Sequence, residues 1–314
     1  MKNILHMIIP CYNEEAVLNQ TAQILSTKIK NLIEQKKISA DSKIIFVDDG
    51  SKDKTWNIIE NLNASDKIFS GIKLSRNRGH QNALLAGLMT AKNFCDFTIS
   101  MDADLQDDVD AIDKMIEKYN AGNEIVYGVR NKRTSDTFFK RFTAESFYKL
   151  MKFLGADIIF NHADFRLMSK KVLDEFENFH EVNLFLRGTV PMLGFKSDIV
   201  TYERHERTAG ESKYPLKKML AFAWEGITSL SIKPIKFITA LGFFIFIVSL
   251  ILFTYFLCRF INGNIIFGWI SLLISLWGLG GLQLIAIGII GEYIGKIYLE
   301  TKQRPRFIIE KSLL

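Results

Sequence analysis

The densest run of chemically competent side chains lies between Thr98 and Asp108. There the apolar stretch Thr98–Met101 meets Asp102, Asp104, Gln106, Asp107 and Asp108. Oxygen-bearing side chains suit hard divalent cations, and Mg2+ is commonly held by one or two carboxylates together with substrate phosphates. Alternation along an extended strand end places Asp102, Asp104 and Gln106 on one side, with the first acid or the amide contributing to the shell. Asp107 and Asp108 are read instead as caps of a helix over Val109–Tyr119. A second acidic turn, Asp48-Asp49-Gly50-Ser51, closes the apolar run Ile44–Val47, and Pro10, Tyr12, Asn13 and Glu14 close Leu5–Ile9. Asp-Gly-Ser by itself is a turn-and-cap sequence. Three such turns at one edge of a sheet make coincidence a poor explanation.

The elements that must position these turns follow from periodicity. Apolar, β-rich runs at Leu5–Ile9, Ile44–Val47, Phe69–Leu74, Phe97–Ser100 and Ile125–Tyr127 alternate with helix-like stretches at Glu14–Lys30, Lys54–Leu62 and His80–Ala91. This order predicts an α/β domain, with an open, mostly parallel sheet, helices on both faces and ligands at the carboxyl ends of the strands. The glycine-rich loops of dinucleotide and triphosphate sites are absent; the strand ends carry carboxylates instead. Further along come a helical stretch near Thr137–Leu154, a strand near Asp198–Tyr202 and the polar loop Glu203–Tyr214. Leu216, Leu220, Ala223, Ile227 and Leu230 then recur at helical spacing beside Lys217 and Lys218. That pattern fits a helix in the headgroup plane, with core packing as the alternative.

Charged residues make up 24% of the 314, yet from Phe237 to Gly291 the one charged side chain is Arg259. Phe237–Cys258 and Ile265–Ile290 are each long enough to cross ~30 Å of hydrocarbon at ~1.5 Å per residue. A purely soluble protein is excluded, and two spans are expected. The net charge of +6 is uneven: +4 over 204–236, +3 over 237–314, and −1 over the remainder. The positive-inside tendency puts both basic flanks, hence the first domain and both termini, in the cytoplasm, with Phe260–Asn264 outside and Arg259 dissenting. Juxtamembrane lysines answer to anionic lipid headgroups, so membrane lipids are expected partners and nucleic acid is not. Met1–Pro10 lacks the pattern of a secretory signal. Cys11, Cys95 and Cys258 lack disulfide or zinc spacing and read as buried small residues. The expected organisation is a catalytic domain over 1–213, juxtamembrane helices over 214–236, a transmembrane hairpin over 237–290 and a cytoplasmic amphipathic tail over 291–314. In that tail Tyr293, Ile294, Ile297 and Tyr298 form a stripe beside Lys296 and Lys302. Gly291-x-x-x-Gly295 is a helix-packing hint.

Taken together, Pro10-x-Tyr12-Asn13-Glu14, Val47-Asp48-Asp49-Gly50-Ser51, Asp102-Ala103-Asp104-Leu105-Gln106 and Ala163-Asp164-Phe165-Arg166 resemble the family 2 glycosyltransferases of the GT-A fold. Within that family they resemble the branch making polyprenyl-phosphate sugars, the dolichyl-phosphate mannose synthases and bactoprenol glucosyltransferases. Arg207-x-Ala209-Gly210-x-Ser212-Lys213-Tyr214 followed by two spans is similar to the bactoprenol subgroup, so the resemblance covers nearly the whole chain. Asp107-Asp108 departs from it, standing where many relatives have a proline.

The resemblance implies a metal-dependent, inverting transfer from a nucleotide sugar to undecaprenyl phosphate at the cytoplasmic face of the bacterial plasma membrane, supplying cell-envelope glycan. UDP-glucose and UDP-N-acetylglucosamine are the implied donors, and a homo-oligomer is the implied assembly. It implies that Pro10, Tyr12, Asn13, Glu14, Asp48, Asp49 and Asp102 hold the nucleotide sugar. Asp102, Asp104 and Gln106 would hold Mg2+ or Mn2+, and Arg130, Arg141, Arg207 and Lys213 the acceptor phosphate. Fixed cations are needed because two polyanions must meet, and arginine's planar fork suits phosphate. Asp164 is implied as a base or an orienting carboxylate, with a structural salt bridge to Arg166 as the third reading. A phosphate monoester with a second pKa near ~6 hardly needs a strong base. The five histidines lack metal spacing and read as structural or surface residues. Two alternatives stand. A processive polysaccharide synthase needs a Q/R-x-x-R-W motif, which none of Trp56, Trp224, Trp269 or Trp277 occupies. A non-catalytic lipid-binding scaffold would have no use for the intact acidic set.

Overall fold

Period-two alternation through the central strands covers the sheet on both sides. Leu5, Met7 and Ile9 pack with Ile44 and Phe46 into one core, whereas Ile8, Ile45, Val47 and Ile72 pack into another. In the computed structural model, the described residues are 2–130, 162–182, 184–203, 228, 233–262 and 268–314. The elements run β1 (Leu5–Cys11), α1 (Leu18–Glu34), β2 (Lys43–Asp48), α2 (Thr55–Ser65), β3 (Phe69–Leu74), α3 (His80–Ala91), β4 (Phe97–Ser100), α4 (Ala111–Asn120) and β5 (Ile125–Arg130). They continue with β6 (His162–Ser169), α5 (Lys170–Phe176), α6 (Leu186–Met192), β7 (Ser197–Tyr202), α7 (Lys233–Ile261), α8 (Trp269–Thr301) and β8 (Ile309–Ser312). Helix α1 buries Leu18, Leu25, Ile29 and Leu32 against the first core, and α3 buries Leu84, Leu85 and Leu88 against the second.

The strand order is β7-β5-β6-β4-β1-β2-β3-β8. The β1–β2, β1–β4, β2–β3 and β5–β7 pairs are parallel, and β4–β6, β5–β6 and β3–β8 are antiparallel. The expected mostly parallel α/β sheet is therefore present, with β6 reversed in its middle.

The helical half differs in detail from the expectation. Among the described residues one stretch, Gly278–Thr301, is long and apolar enough to cross a membrane. The expected boundary at 291 falls inside α8, which continues unbroken to Thr301. The chain then returns to the sheet: β8 pairs antiparallel with β3, Ile72 opposite Ser312. The side-chain amide of Asn63 holds the Leu313 carbonyl at 3.3 Å. The 291–314 segment is thus a helix end plus an edge strand. The expected helices over 137–154 and 216–230, and most of the loop 203–214, lie outside the described residues.

One buried group predicts an acid sensitivity. His6 on β1 is 2% exposed, its Nδ1 lacks a partner among the described residues, and burial, aided by Lys43, lowers its pKa to about 4. The folded protein keeps it neutral, while the unfolded chain takes up a proton below ~6.5. Stability should therefore fall as pH drops from 6.5 to 4, by up to about 1.4 kcal/mol per unit from this residue. Denaturant titrations should show that component missing in His6→Leu; an unchanged slope would contradict it.

Candidate active site

Topology gathers the polar turns. Strands β1, β2 and β4 run parallel, so Tyr12, Asp48 and Asp102 emerge at the same edge. Because β6 is antiparallel to β4, with Ser100 opposite Arg166, the beginning of β6 rather than its end reaches that edge and brings Asp164 there. Strand β5 is antiparallel to β6 and delivers Arg130 to the same side.

Asp164 is the most heavily partnered of these groups. Its carboxylate accepts from Arg166 Nη2 at 2.6 Å and Arg187 Nη2 at 3.1 Å, and His80 Nε2 stands 3.5 Å away. The Ser100 hydroxyl donates to its main-chain carbonyl. Burial alone would raise the Asp164 pKa, but Arg187, His80 and Arg166 hold it well below the ordinary carboxylate range. Asp164 is thus a fixed anion and a weak proton acceptor. The salt bridge to Arg166 expected as one reading is real, and Arg166 is buried at 1% exposure. Arg187 remains one-third exposed beside the edge.

His80 joins the two acidic motifs, lying 3.5 Å from Asp102 Oδ1 as well as from Asp164 Oδ2. Although burial opposes it, hydrogen bonding to Asp164 and the charges of Asp102 and Asp164 raise the His80 pKa. His80, read with the other histidines as structural or surface, thus lies between two of the candidate acids. His80 is the first residue of α3, set by Gly79 at φ 87, a left-handed conformation that favours glycine.

The Asp102–Gln106 turn is not an extended strand end. Strand β4 stops at Ser100, Leu105 adopts φ 53, and Asp104 Oδ1 accepts the Gln106 amide at 3.2 Å. Strict alternation thus fails, and a tight turn presents these side chains. Burial raises the Asp102 pKa, and Asp107, Asp164 and Asp104 add repulsion that His80 only partly offsets. Among the described residues no three His, Cys, Asp or Glu side chains are gathered into a self-sufficient metal site. A crowded carboxylate short of cations fits a divalent ion that completes its shell with substrate phosphates.

Asp107 also departs from expectation. It is 1% exposed and does not cap α4; it braces Arg130 at 3.0 Å and accepts from the Tyr202 hydroxyl. Tyr202 in turn accepts from Arg130 Nε at 3.2 Å. Asp108 keeps a turn role, its carboxylate accepting the Asp110 amide at 2.9 Å. Arg130 therefore reaches the edge with its guanidinium already oriented by a buried acid.

In the second turn, Asp49 is committed internally, accepting the Arg78 and Gly79 amides at 2.7 and 2.8 Å. It holds the loop that sets His80. Asp48 differs: Oδ1 accepts the Ser51 amide at 3.0 Å, but the buried Oδ2 has no hydrogen-bond partner among the described residues, and burial raises its pKa. Gly50, at φ 68, lets the turn pass the Arg76–Asn77 backbone, where a Cβ would sit 2.6 Å from main-chain atoms. Asn13, at φ 54, accepts the Lys52 amide at 2.9 Å, and Glu14 donates its amide to Thr55 Oγ1, lacing the first and second turns together. Pro10 is buried and Tyr12 is 42% exposed. Arg141, Arg207 and Lys213 lie outside the described residues. Arg187 and His80 are the two groups at this edge that the sequence reading passed over.

The model of the Glycosyl transferase family 2 matches residues 7–176. The chain is 55% identical over 310 residues to an uncharacterized glycosyltransferase of Bacillus subtilis (strain 168), YkoT, covering 99% of this chain and 92% of that protein. It is 40% identical over 308 residues to the SfII prophage-derived bactoprenol glucosyl transferase of Shigella flexneri, covering 98% and 97%. To a prophage bactoprenol glucosyl transferase homolog of Escherichia coli (strain K12) it is 41% identical over 310 residues, covering 97% and 98%. Among solved structures, glucosyl-3-phosphoglycerate synthase from Mycobacterium tuberculosis, in complex with Mn2+, UDP-glucose and phosphoglyceric acid, superposes with a TM-score of 0.47 at 18% identity, over 73% of this chain and 78% of that one.

Proposed function

This chain belongs to glycosyl transferase family 2, and from that premise we propose that it moves one glucose from a nucleotide donor to a polyprenyl phosphate at a membrane surface. The observation that carries this reading is the similarity to bactoprenol glucosyl transferases over 97–98% of the chain. It extends past the family's catalytic region through α7 and α8.

In this reading the orphaned Oδ2 of Asp48 accepts a hydrogen bond from the nucleotide base, a role for which an unpartnered buried acceptor is suited. Asp102, Asp104 and Gln106 would hold Mg2+ or Mn2+, which when bound supplies Lewis-acid neutralisation of the departing diphosphate. An oxygen of the acceptor phosphate forms a bond to the anomeric carbon as the bond to the diphosphate oxygen breaks, inverting that carbon. A dianionic acceptor brings no proton to remove. Asp164, held ionised by Arg187, Arg166 and its hydrogen bond from His80, therefore serves to orient Arg187 and His80 rather than to act as a base. Arg187 joins Arg130, Arg141, Arg207 and Lys213 as the cations that offset two meeting polyanions. Presenting the purified protein with polyprenyl phosphate and a panel of nucleotide sugars should give turnover with UDP-glucose above UDP-N-acetylglucosamine. The reverse preference would replace glucose in this reading.

The same proposal places α7 and α8 as a hairpin of two spans in the bacterial plasma membrane, with the catalytic domain and both termini cytoplasmic. A β-strand pairs through main-chain hydrogen bonds and does so on one side of a bilayer only. Since β8 lies in the same sheet as β1–β7, the chain between them crosses an even number of times or not at all. Cysteine-accessibility labelling should find 263 and 264 reactive from outside and Ser312 from inside; labelling of both from one side would refute the hairpin.

A further inference from the structure

Where the end of α8 meets the 178–182 segment after α5, a cavity of about 1020 Å3 opens, far in sequence from the acidic turns. Its wall carries Lys296, Arg304 and Arg306 against Glu181 and Glu300. The carboxylates are already engaged by the protein. Both oxygens of Glu300 accept the Val182 amide, at 2.7 and 2.9 Å, and Thr189 hydrogen-bonds Glu181. Lys296 is anchored by the Thr228 hydroxyl at 2.6 Å. Arg306 is different. A guanidinium offers five N–H donors, and among the described residues it makes one hydrogen bond, to the Glu181 carbonyl at 3.4 Å. Burial lowers its pKa, and Glu181 and Glu300 only partly restore it. This is a half-buried cation short of acceptors, to which a phosphate is the complement.

A second, apolar feature leads away from the same cavity. Ile297 lines it, and Ile287, Ile290, Ile294 and Ile297 are spaced by three, four and three residues, all 44% or more exposed. That spacing puts them on one face of α8. From Ile297 back to Ile287 the helix rises about 15 Å, half of the ~30 Å hydrocarbon core and so the depth of one leaflet. A free anion would need the cations alone; cations leading into an apolar stripe of leaflet depth match an amphiphile. Basic pockets beside membrane helices are where acidic headgroups are held.

We infer that this cavity binds the phosphate headgroup of an anionic phospholipid, with the acyl chains lying along the Ile287–Ile297 stripe. The assignment rests on the membrane placement of α8 proposed above and is independent of the sugar transferred. It gives the enzyme a fixed lipid at the joint between its helices and its catalytic domain, on the face where α8 ends and the chain turns back toward β8.

The test is native mass spectrometry of the full-length protein in detergent, titrated with phosphatidylglycerol or with phosphatidylcholine of the same chains. Phosphatidylglycerol should bind at least about tenfold more tightly, the scale of one charge-assisted hydrogen bond. Arg306→Gln should erase that preference, while Arg306→Lys keeps part of it because a point charge replaces a fork. Should Arg306→Gln fail to fold, as judged by circular dichroism, Arg304→Gln at an exposed position should still weaken phosphatidylglycerol selectively. Equal binding of the two lipids, or full selectivity in both glutamine variants, would overturn the assignment. So would displacement of phosphatidylglycerol by equimolar inorganic phosphate, which would make this a free-anion site, or by polyprenyl phosphate at lower concentration, which would give the cavity to the acceptor. Failure of the wild-type protein to enter vesicles would remove the membrane placement itself, an outcome distinct from insertion without lipid preference.

Discussion

Asp102→Asn is expected to lower turnover by at least about a hundredfold while leaving the metal-free protein as stable as the parent or more so. Both halves follow from the same crowding. Asp102 is forced toward its neutral form by burial and by Asp107, Asp164 and Asp104, so its charge costs the empty fold stability. An amide of the same shape removes that cost. It also removes a hard anionic ligand, and lost electrostatic stabilisation of a leaving group is commonly worth 10²–10³ in rate, or about 3–4 kcal/mol. Melting temperatures in chelator, set beside turnover in Mg2+ and in Mn2+, check the pair of effects. Undiminished turnover would remove Asp102 from the site, and a large fall in melting temperature would make it a structural residue.

Asp164→Asn should reduce turnover on a comparable scale but with the opposite effect on stability. Its carboxylate neutralises Arg166, which is 1% exposed, and breaking a buried pair by removing one partner typically costs ~3–5 kcal/mol. Loss of activity alone would therefore not separate chemistry from scaffolding. The double variant Asp164→Leu, Arg166→Met does separate them, since replacing both members of a buried pair by apolar groups of similar volume can restore stability. Recovered melting temperature with turnover still depressed is the expected result, because Arg187 and His80 would remain without the anion that orients them. Recovery of both would reduce Asp164 to a structural partner of Arg166.

What could be read in advance was whatever chemistry sits beside its own strand. Asp48 and Asp102 each follow an apolar run of a few residues, so type and location are both local. His80 precedes Asp102 by 22 positions, and only the packing of the α3 N-terminus against the end of β4 brings them together. A signal did exist: a histidine just after a glycine that opens the helix following β3, at the edge where ligands were already expected. Arg187 offered none, since it stands on a seven-residue helix, 23 residues from Asp164. Asp107 was misjudged because an acid before a helix looks like a cap, and only its burial against Arg130 and Tyr202 shows otherwise. Strand β8 escaped notice because its four residues are polar or exposed and pair along one edge only. Helix α8 outlasts its apolar run because Glu300 accepts the Val182 amide of the catalytic domain and Lys296 donates to the Thr228 hydroxyl.

The most direct measurement is the identity of the lipid product. Purified full-length protein, incubated with UDP-glucose, a divalent cation and undecaprenyl phosphate, should convert the lipid into a species carrying one hexose on its phosphate, with the anomeric configuration opposite to that of the donor. Mass spectrometry and NMR of the extracted lipid read both features. A product bearing several sugars, a product of retained configuration, or consumption of UDP-glucose with the lipid unchanged would contradict a single inverting transfer to polyprenyl phosphate.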